Sequence, residues 1–241
     1  MNNSLIKRVV LIGLLVLPVL VYITFVYMQK GVFFKTLDLV GPYTVEQLED
    51  GTNDTVYYKV PKLTFQNQFG DFSTQDSIEN GITVVSFFFT SCPSICPAMN
   101  FHLKQVADRF KGVDYVNMVS ITVDPERDTL EALQKYARKL GADERRWWFL
   151  RGTQDEAHQL APKFFLAANA DSTAAGGYNH SQSVVLVDWN GNIRSRADDN
   201  GNVIGSYDAM SVSELNKMED DIKVLIAEFE RWNHYKLKFD D

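Results

Sequence analysis

The sequence predicts an α/β sandwich built around a mixed sheet. Segments rich in β-branched and aromatic residues alternate with segments of helical periodicity, and the last two predicted strands flank the step Asn190-Gly191, which favours a hairpin. The chain has 241 residues, of which 45% are hydrophobic, so it is long enough for one core of ordinary size. A second globular domain is not needed.

An uncharged segment near the N-terminus, residues 9–28, lies between Arg8 and Lys30. At a rise of about 1.5 Å per residue it spans roughly 30 Å, the thickness of the hydrocarbon core of a bilayer. We interpret it as an uncleaved transmembrane anchor, because no small-residue cleavage site follows Met28. The flanking charges favour a cytoplasmic N-terminus (residues 1–8), and the lack of an Arg- and Ser-rich presequence favours a bacterial inner membrane with the domain in the periplasm.

The rest of the chain divides into three predicted regions. Residues 29–55 contain several glycines and little periodicity, which predicts a tether between the anchor and the domain. Residues 56–234 carry the regular patterns and form the predicted domain. Residues 235–241 are left as a C-terminal tail.

The elements of the domain follow from the spacing of its apolar residues. Residues 81–90 contain an almost unbroken β-branched and aromatic run, which predicts a buried central strand. Residues 130–140 have helical periodicity and precede Gly141, a favoured residue just past a helix C-terminus. The other predicted strands are residues 56–60, 63–67, 115–123, 147–150, 183–187 and 193–196, and the other predicted helices are residues 99–110, about 157–164 and 215–232.

The charge balance argues against a nucleic-acid partner. Lys and Arg number 24 against 31 Asp and Glu, which gives a formal net charge of −7. Nucleic-acid-binding proteins concentrate positive charge to neutralise phosphates. We therefore expect no nucleic-acid partner for this chain.

The two cysteines of the chain, Cys92 and Cys96, lie where the central strand is predicted to give way to a helix. Ligands usually bind at the carboxyl ends of strands in open α/β sheets. If the helix begins near Pro93, the spacing places both sulfurs on one face, and the positive end of the helix dipole favours thiolates. This arrangement suits metal binding or redox chemistry; the alternative is a structural disulfide or two buried core thiols.

A metal site needs a further ligand, and four histidines are available. We interpret His102, His158 and His234 as packed or solvated residues, because they lie on helical segments or near the C-terminus. His180 follows a Gly-Gly segment and precedes a predicted strand, so a loop can bring it over the cysteines. Two cysteines and one histidine suit copper and also zinc, and the residues alone leave both metals open.

Three segments of this chain together resemble the SCO/SenC family. They are Phe-Phe-Phe-Thr-Ser-Cys-Pro-Ser-Ile-Cys-Pro at 87–97, Val-Asp-Pro-Glu-Arg-Asp-Thr at 123–129, and Asn-His-Ser at 179–181. The match in order and spacing extends over roughly residues 55–230. Two features depart from the commonest pattern: Ser94 replaces an acidic residue between the cysteines, and the hairpin around 196–205 is longer or altered.

The resemblance implies a membrane-anchored thioredoxin-like (peroxiredoxin-like) domain that binds one copper ion through Cys92, Cys96 and His180. It implies delivery of copper to the dinuclear copper centre of cytochrome c oxidase, so the expected partner is the copper-bearing subunit or another periplasmic copper carrier. Zinc is a lesser alternative, and we expect no enzymatic activity and a monomeric soluble domain. Asp124 is similar to a family aspartate that orients the histidine or a partner; its structural alternative is a helix cap or a turn former.

A second function remains open from the residues. The two cysteines can cycle as a thiol–disulfide oxidoreductase that keeps target cysteines reduced, with His180 only tuning the thiolate. Thioredoxin-type enzymes use two intervening residues in this motif, whereas this chain has three. The spacing therefore favours metal binding.

Overall fold

The computed structural model describes residues 3–30, 36–48, 51–72, 80–93, 95–171 and 178–239. The chain divides into two compact units at residues 35 and 36. In the first unit, helix α1 (Asn3–Lys30) includes Pro18. Among the described residues, no helix combines the length and apolar character needed to cross a membrane.

The second unit contains the strands and the remaining helices. The strands are β1 (Asp38–Val40), β2 (Tyr43–Gln47), β3 (Asn53–Tyr57), β4 (Ile82–Phe88), β5 (Val116–Thr122), β6 (Trp147–Leu150), β7 (Ala168–Ala170), β8 (Tyr178–His180), β9 (Ser183–Val187), β10 (Ile193–Ser195) and β11 (Tyr207–Asp208). The helices are α2 (Ile95–Arg109), α3 (Leu130–Leu140), α4 (Gln154–Leu160) with a following 3-10 turn (Ala161–Phe164), and α5 (Val212–Phe239).

The main sheet of the described residues is mixed. Its strand order is β1-β10-β9-β4-β5-β6, with β11 paired to β9 at its side. The pairs β4–β5 and β5–β6 are parallel, whereas β9 and β10 pair antiparallel to their neighbours. Parallel neighbours need a crossover, which α2 and α3 supply. The predicted α/β class with a mixed sheet is confirmed.

Local sequence explains the best-predicted elements. All seven residues of β4 and of β5 are buried, because both strands lie inside the sheet and are covered on both faces. Helix α3 begins after Thr129, whose side chain accepts a hydrogen bond from the Ala132 N–H, and it ends at Gly141 in the left-handed conformation. The predicted helix 130–140 is therefore confirmed at both ends.

The predicted tether, residues 29–55, differs from the structure beyond residue 37. Strand β1 pairs antiparallel with β10 and forms one edge of the main sheet, with Leu37 buried beside it. Strands β2 and β3 form a separate exposed hairpin. These short strands lack a long apolar pattern, and β1 is specified by a partner more than 150 residues away in the chain. Likewise, α5 continues through residues 235–239 of the predicted tail.

The predicted strand 63–67 is wrong. Only Gln66 forms isolated bridges there, with Phe72 and Arg151. Backbone groups on the open edge of β6 are instead hydrogen-bonded to a side chain. The Gln68 amide accepts from the Phe149 N–H at 2.9 Å and donates to the Trp147 carbonyl at 3.1 Å. A single buried amide here replaces a strand ladder.

Candidate metal centre

The cysteine turn joins the end of β4 to the start of α2. Cys92 lies in the loop and Cys96 in the first turn of the helix, whose described part starts at Ile95, two residues after Pro93. The two cysteines are not joined in a disulfide, and both are buried. The Cys92 N–H donates to the Phe89 carbonyl at 3.3 Å. The turn therefore presents two sulfurs at the carboxyl end of the central strand, as predicted from the motif.

The Cys96 thiol is held in its neutral form. Burial is the largest cause of its raised pKa. A hydrogen bond with Cys92 and the charges of Cys92 and Asp128 raise the pKa further, whereas a backbone hydrogen bond with Phe89 lowers it. We expected the helix N-terminus to favour a thiolate at this position. Desolvation outweighs that effect, so a metal ion that binds Cys96 must displace its proton.

Asp128 organises the strand ends around the turn, and the sequence did not single it out. Its carboxylate is fully buried and accepts hydrogen bonds from the Thr90 N–H at 3.0 Å and from the hydroxyls of Thr90 and Thr122. Burial raises the pKa of Asp128, and these hydrogen bonds lower it. Asp128 thus ties the turn before Cys92 to the end of β5. Its place in the motif at 123–129 was visible, but its burial was not.

Tyr136 closes another side of the turn from helix α3. Its hydroxyl accepts a hydrogen bond from the Asn100 side chain at 2.8 Å. Burial raises the pKa of Tyr136 to about 12, and the nearby charges of Cys96, Cys92 and Asp128 add to the shift. Tyr136 and Thr90 also line a cleft of about 210 Å³, together with Ala132, Lys135 and Lys139. The Tyr136 ring packs against Phe88 at 5.4 Å between centroids, so this side chain lies beside the end of β4, although sequence reasoning did not select it.

Asp124, the predicted supporting residue, is buried in the loop after β5. Its Oδ2 lies 2.5 Å from Nε of Arg127, and its Oδ1 accepts a hydrogen bond from the Tyr178 hydroxyl at 3.2 Å. The cap of α3 is Thr129, so the cap interpretation of Asp124 is not needed. Asp124 therefore links this loop to strand β8.

His180 is the last residue of β8, which pairs with β7 so that Ala168 lies opposite His180. The Tyr178 ring, two residues earlier, packs against Phe89 at a centroid distance of 5.5 Å and so brings β8 to the cysteine turn. The side chain of His180 lies outside the described part of the chain, and the ligand set Cys92, Cys96 and His180 stays a prediction. Among the described side chains, no cluster of three His, Cys, Asp or Glu is arranged to hold a metal.

The other three histidines are placed as predicted, packed or solvated. Nδ1 of His102 lies 2.8 Å from the Ala209 carbonyl oxygen, and Nε2 of His158 lies 3.2 Å from that of Val123. His234 is exposed on α5.

Comparison with known proteins decides the family. A family model described as SCO1/SenC matches residues 54–211. The chain belongs to the SCO1/SenC family. The SCO1 protein homolog of Bacillus subtilis (strain 168) is 32% identical to this SCO1/SenC protein over 150 residues, which cover 61% of this chain and 76% of the relative.

Solved structures agree with the fold of this SCO1/SenC protein. BsSco, a member of the Sco family of cytochrome c oxidase assembly proteins in which a disulfide switch was identified, is 28% identical with a TM-score of 0.58, over 70% of this chain and 93% of that one. ScoI of Bradyrhizobium japonicum with copper bound is 24% identical with a TM-score of 0.50, over 67% and 95% of the two chains. These likenesses and the mixed sheet fit the predicted thioredoxin-like fold.

Proposed function

We propose that this SCO1/SenC protein binds one copper ion through Cys92, Cys96 and His180 and delivers it to the dinuclear copper centre of cytochrome c oxidase. The observation that carries the proposal is the pair of buried cysteines, not joined in a disulfide, at the end of β4, beside the strand that bears His180. Family membership and the copper-bound ScoI structure support copper as the metal.

The donor set suits copper as a cargo. Thiolates are soft ligands that prefer Cu(I), and one imidazole adds a ligand that both Cu(I) and Cu(II) accept. The same set with an open position also accepts zinc, so zinc is the competitor to test. Buried thiols are shielded from solvent, and release to a partner proceeds by exchange of one ligand at a time.

We also propose that residues 9–28 anchor the protein in a bacterial inner membrane with the domain in the periplasm. This part of the proposal rests on the sequence, where no charged residue lies between Arg8 and Lys30. The acceptor is the copper-bearing subunit of cytochrome c oxidase or another periplasmic copper carrier. Anchoring would keep the donor at the membrane surface where the oxidase lies.

Metal titration of the purified full-length chain tests the ligand set. Copper(II) should produce a stoichiometric thiolate charge-transfer band, which Cys92→Ser and Cys96→Ser should each abolish and His180→Ala should shift and weaken. His234→Ala is the matched control, because His234 is exposed and far along α5. A band unchanged in His180→Ala would disprove the three-ligand site, and preferential binding of zinc at equal concentration would disprove copper.

Delivery needs its own measurement. The copper-loaded chain is mixed with the copper-free soluble domain of the oxidase copper subunit, and the metal content of each protein is measured after separation. We expect copper to move to the acceptor, and the rate to exceed that from a small-molecule copper complex of equal affinity. Transfer no faster than from the complex would contradict a delivery role.

A second function, thiol–disulfide exchange, is favoured by one specific observation. The two cysteines are not joined in a disulfide, and a hydrogen bond between the Cys96 and Cys92 side chains makes them neighbours. A disulfide switch was identified in BsSco, which is 28% identical to this chain. Measurement of the reduction potential tests this second function: a value far below about −300 mV indicates a structural disulfide and contradicts exchange, and a higher value permits exchange.

A further inference from the structure

We infer that Tyr178 is a positioning residue that holds strand β8, and with it His180, against the cysteine turn. This inference rests on the proposed copper-binding function. Tyr178 and His180 are two residues apart in β8, so the two positions lie on the same face of the strand. Whatever fixes Tyr178 in space therefore also restrains the backbone at His180.

The β7–β8 ribbon needs such a restraint. In the described part of the chain, β7 and β8 form a separate two-stranded sheet that is not hydrogen-bonded into the main sheet. A two-stranded ribbon alone has marginal stability in water. Besides the short connection to β9, side-chain contacts rather than a strand ladder must then fix its position relative to Cys92 and Cys96.

Tyr178 makes these contacts with three other parts of the fold. Its ring packs on Phe89, the residue whose carbonyl accepts the Cys92 N–H. Its hydroxyl donates to Oδ1 of Asp124 at 3.2 Å, in the loop after β5. From α4, the Gln154 side chain donates to the same hydroxyl at 3.2 Å. The side chain is only half-buried, yet it joins the cysteine turn, the aspartate loop and a helix.

Two further groups surround the ring. The Arg127 guanidinium lies over it at 5.6 Å from the centroid, and the same guanidinium is ion-paired with Asp124. The His158 ring meets its edge at 5.9 Å between centroids. Arg127 neutralises the carboxylate to which Tyr178 donates, so the hydroxyl bond is made to a paired rather than an isolated charge. Asp124 is therefore connected to β8 through its hydrogen bond with the Tyr178 hydroxyl.

A double-mutant cycle tests whether Tyr178 acts through His180. The Cu(I) affinity of the full-length chain is measured by competition with bathocuproine disulfonate. Tyr178→Phe keeps the ring but removes the hydroxyl bond to a charged acceptor, so we expect binding to weaken about tenfold or more. In a His180→Ala background, Tyr178→Phe should have no further effect. An equal loss in both backgrounds would overturn the inference.

Tyr115→Phe is the matched control. Its hydroxyl also donates to a carboxylate, that of Glu230, at 2.8 Å, and its ring packs at a tilt against Phe229, away from the cysteine turn. This variant should bind Cu(I) within about twofold of the parent chain. A Tyr115→Phe loss as large as that of Tyr178→Phe would assign the effect to general destabilisation and overturn the inference.

Amide hydrogen exchange of the metal-free chain gives a readout that does not need copper. The Ser181 N–H donates to the Ala167 carbonyl at 2.8 Å and reports on the ribbon. Tyr178→Phe and Tyr178→Ala should speed exchange at residues 178–181, whereas Tyr115→Phe should not. Unchanged exchange in Tyr178→Ala would overturn the inference. A parent chain that does not bind copper, with faster ribbon exchange in the variants, would instead reject the proposed function and retain the restraint on β8.

Discussion

Replacement of Asp128 by Ala should destabilise the fold and loosen the cysteine turn together. The substitution leaves the Thr90 N–H and the hydroxyls of Thr90 and Thr122 without their acceptor. An unpaired buried donor costs about 1–3 kcal/mol. Thr90 is only half-buried, so water reaches it, and loss of a desolvated carboxylate offsets part of the cost. We therefore expect a net loss of about 2–4 kcal/mol in the free energy of unfolding.

Urea unfolding followed by tryptophan fluorescence measures this loss, because all four tryptophans lie in the compact unit that begins at residue 36. Asp198→Ala is the control: Asp198 also accepts three hydrogen bonds in a tight turn, but it is exposed, so its loss should matter less. Equal shifts in the two variants would refute the role of burial. Unchanged Cu(I) affinity in Asp128→Ala would refute the role of Asp128 in holding the turn.

The charge of Asp128 makes a separate prediction about pH. Burial raises its folded-state pKa, so its favourable contribution is complete below the unfolded pKa and is lost as pH rises through the folded pKa. Asp128→Asn has no such loss and keeps an acceptor for the Thr90 N–H. The free energy of unfolding of the parent should therefore fall relative to that of Asp128→Asn as pH rises from about 4 to about 8, and parallel profiles of the two would contradict this reasoning.

Three further predictions follow from buried groups. Because the raised pKa keeps Cys96 protonated, copper affinity should rise about tenfold per pH unit for each displaced proton between pH 6 and 8; a flat profile in chelator competition would contradict this. Gly81→Ala places a methyl group 2.2 Å from a carbonyl oxygen and should cost about 2–3 kcal/mol in urea unfolding, whereas Gly112→Ala meets nothing within 4 Å and should be neutral. Tyr207→Phe removes a 2.5 Å hydrogen bond to buried Asp221 and should lower the free energy of unfolding by about 1–2 kcal/mol. Because burial raises the pKa of Tyr207, the parent should lose this advantage above about pH 10, and the plots of stability against pH for parent and variant should converge there.

Short-range patterns explain what the sequence predicted well. The apolar runs of β4, β5 and β9 and the cap and stop residues of α3 act within a few positions of each other. Burial and capping at such distances depend little on the rest of the fold. The position of the cysteine motif between strand and helix follows from the same local signals.

Long-range contacts explain what it missed. Strand β1 is defined only by its pairing with β10, and the edge of β6 is closed by the Gln68 side chain rather than by a strand. Neither contact has a periodic signal. The burial that keeps the Cys96 thiol neutral likewise depends on residues packed around it from several elements.

The sequence by itself determined the α/β class, the order of its main elements and the two cysteines as the reactive centre, because hydrophobic spacing and a rare residue pair are local properties. Only the tertiary structure decided that Asp128 holds the turn and that Tyr178 joins it to the strand of His180. The physical reason is distance along the chain: Thr90 and Asp128 are 38 positions apart, and such pairs meet only after the sheet has assembled.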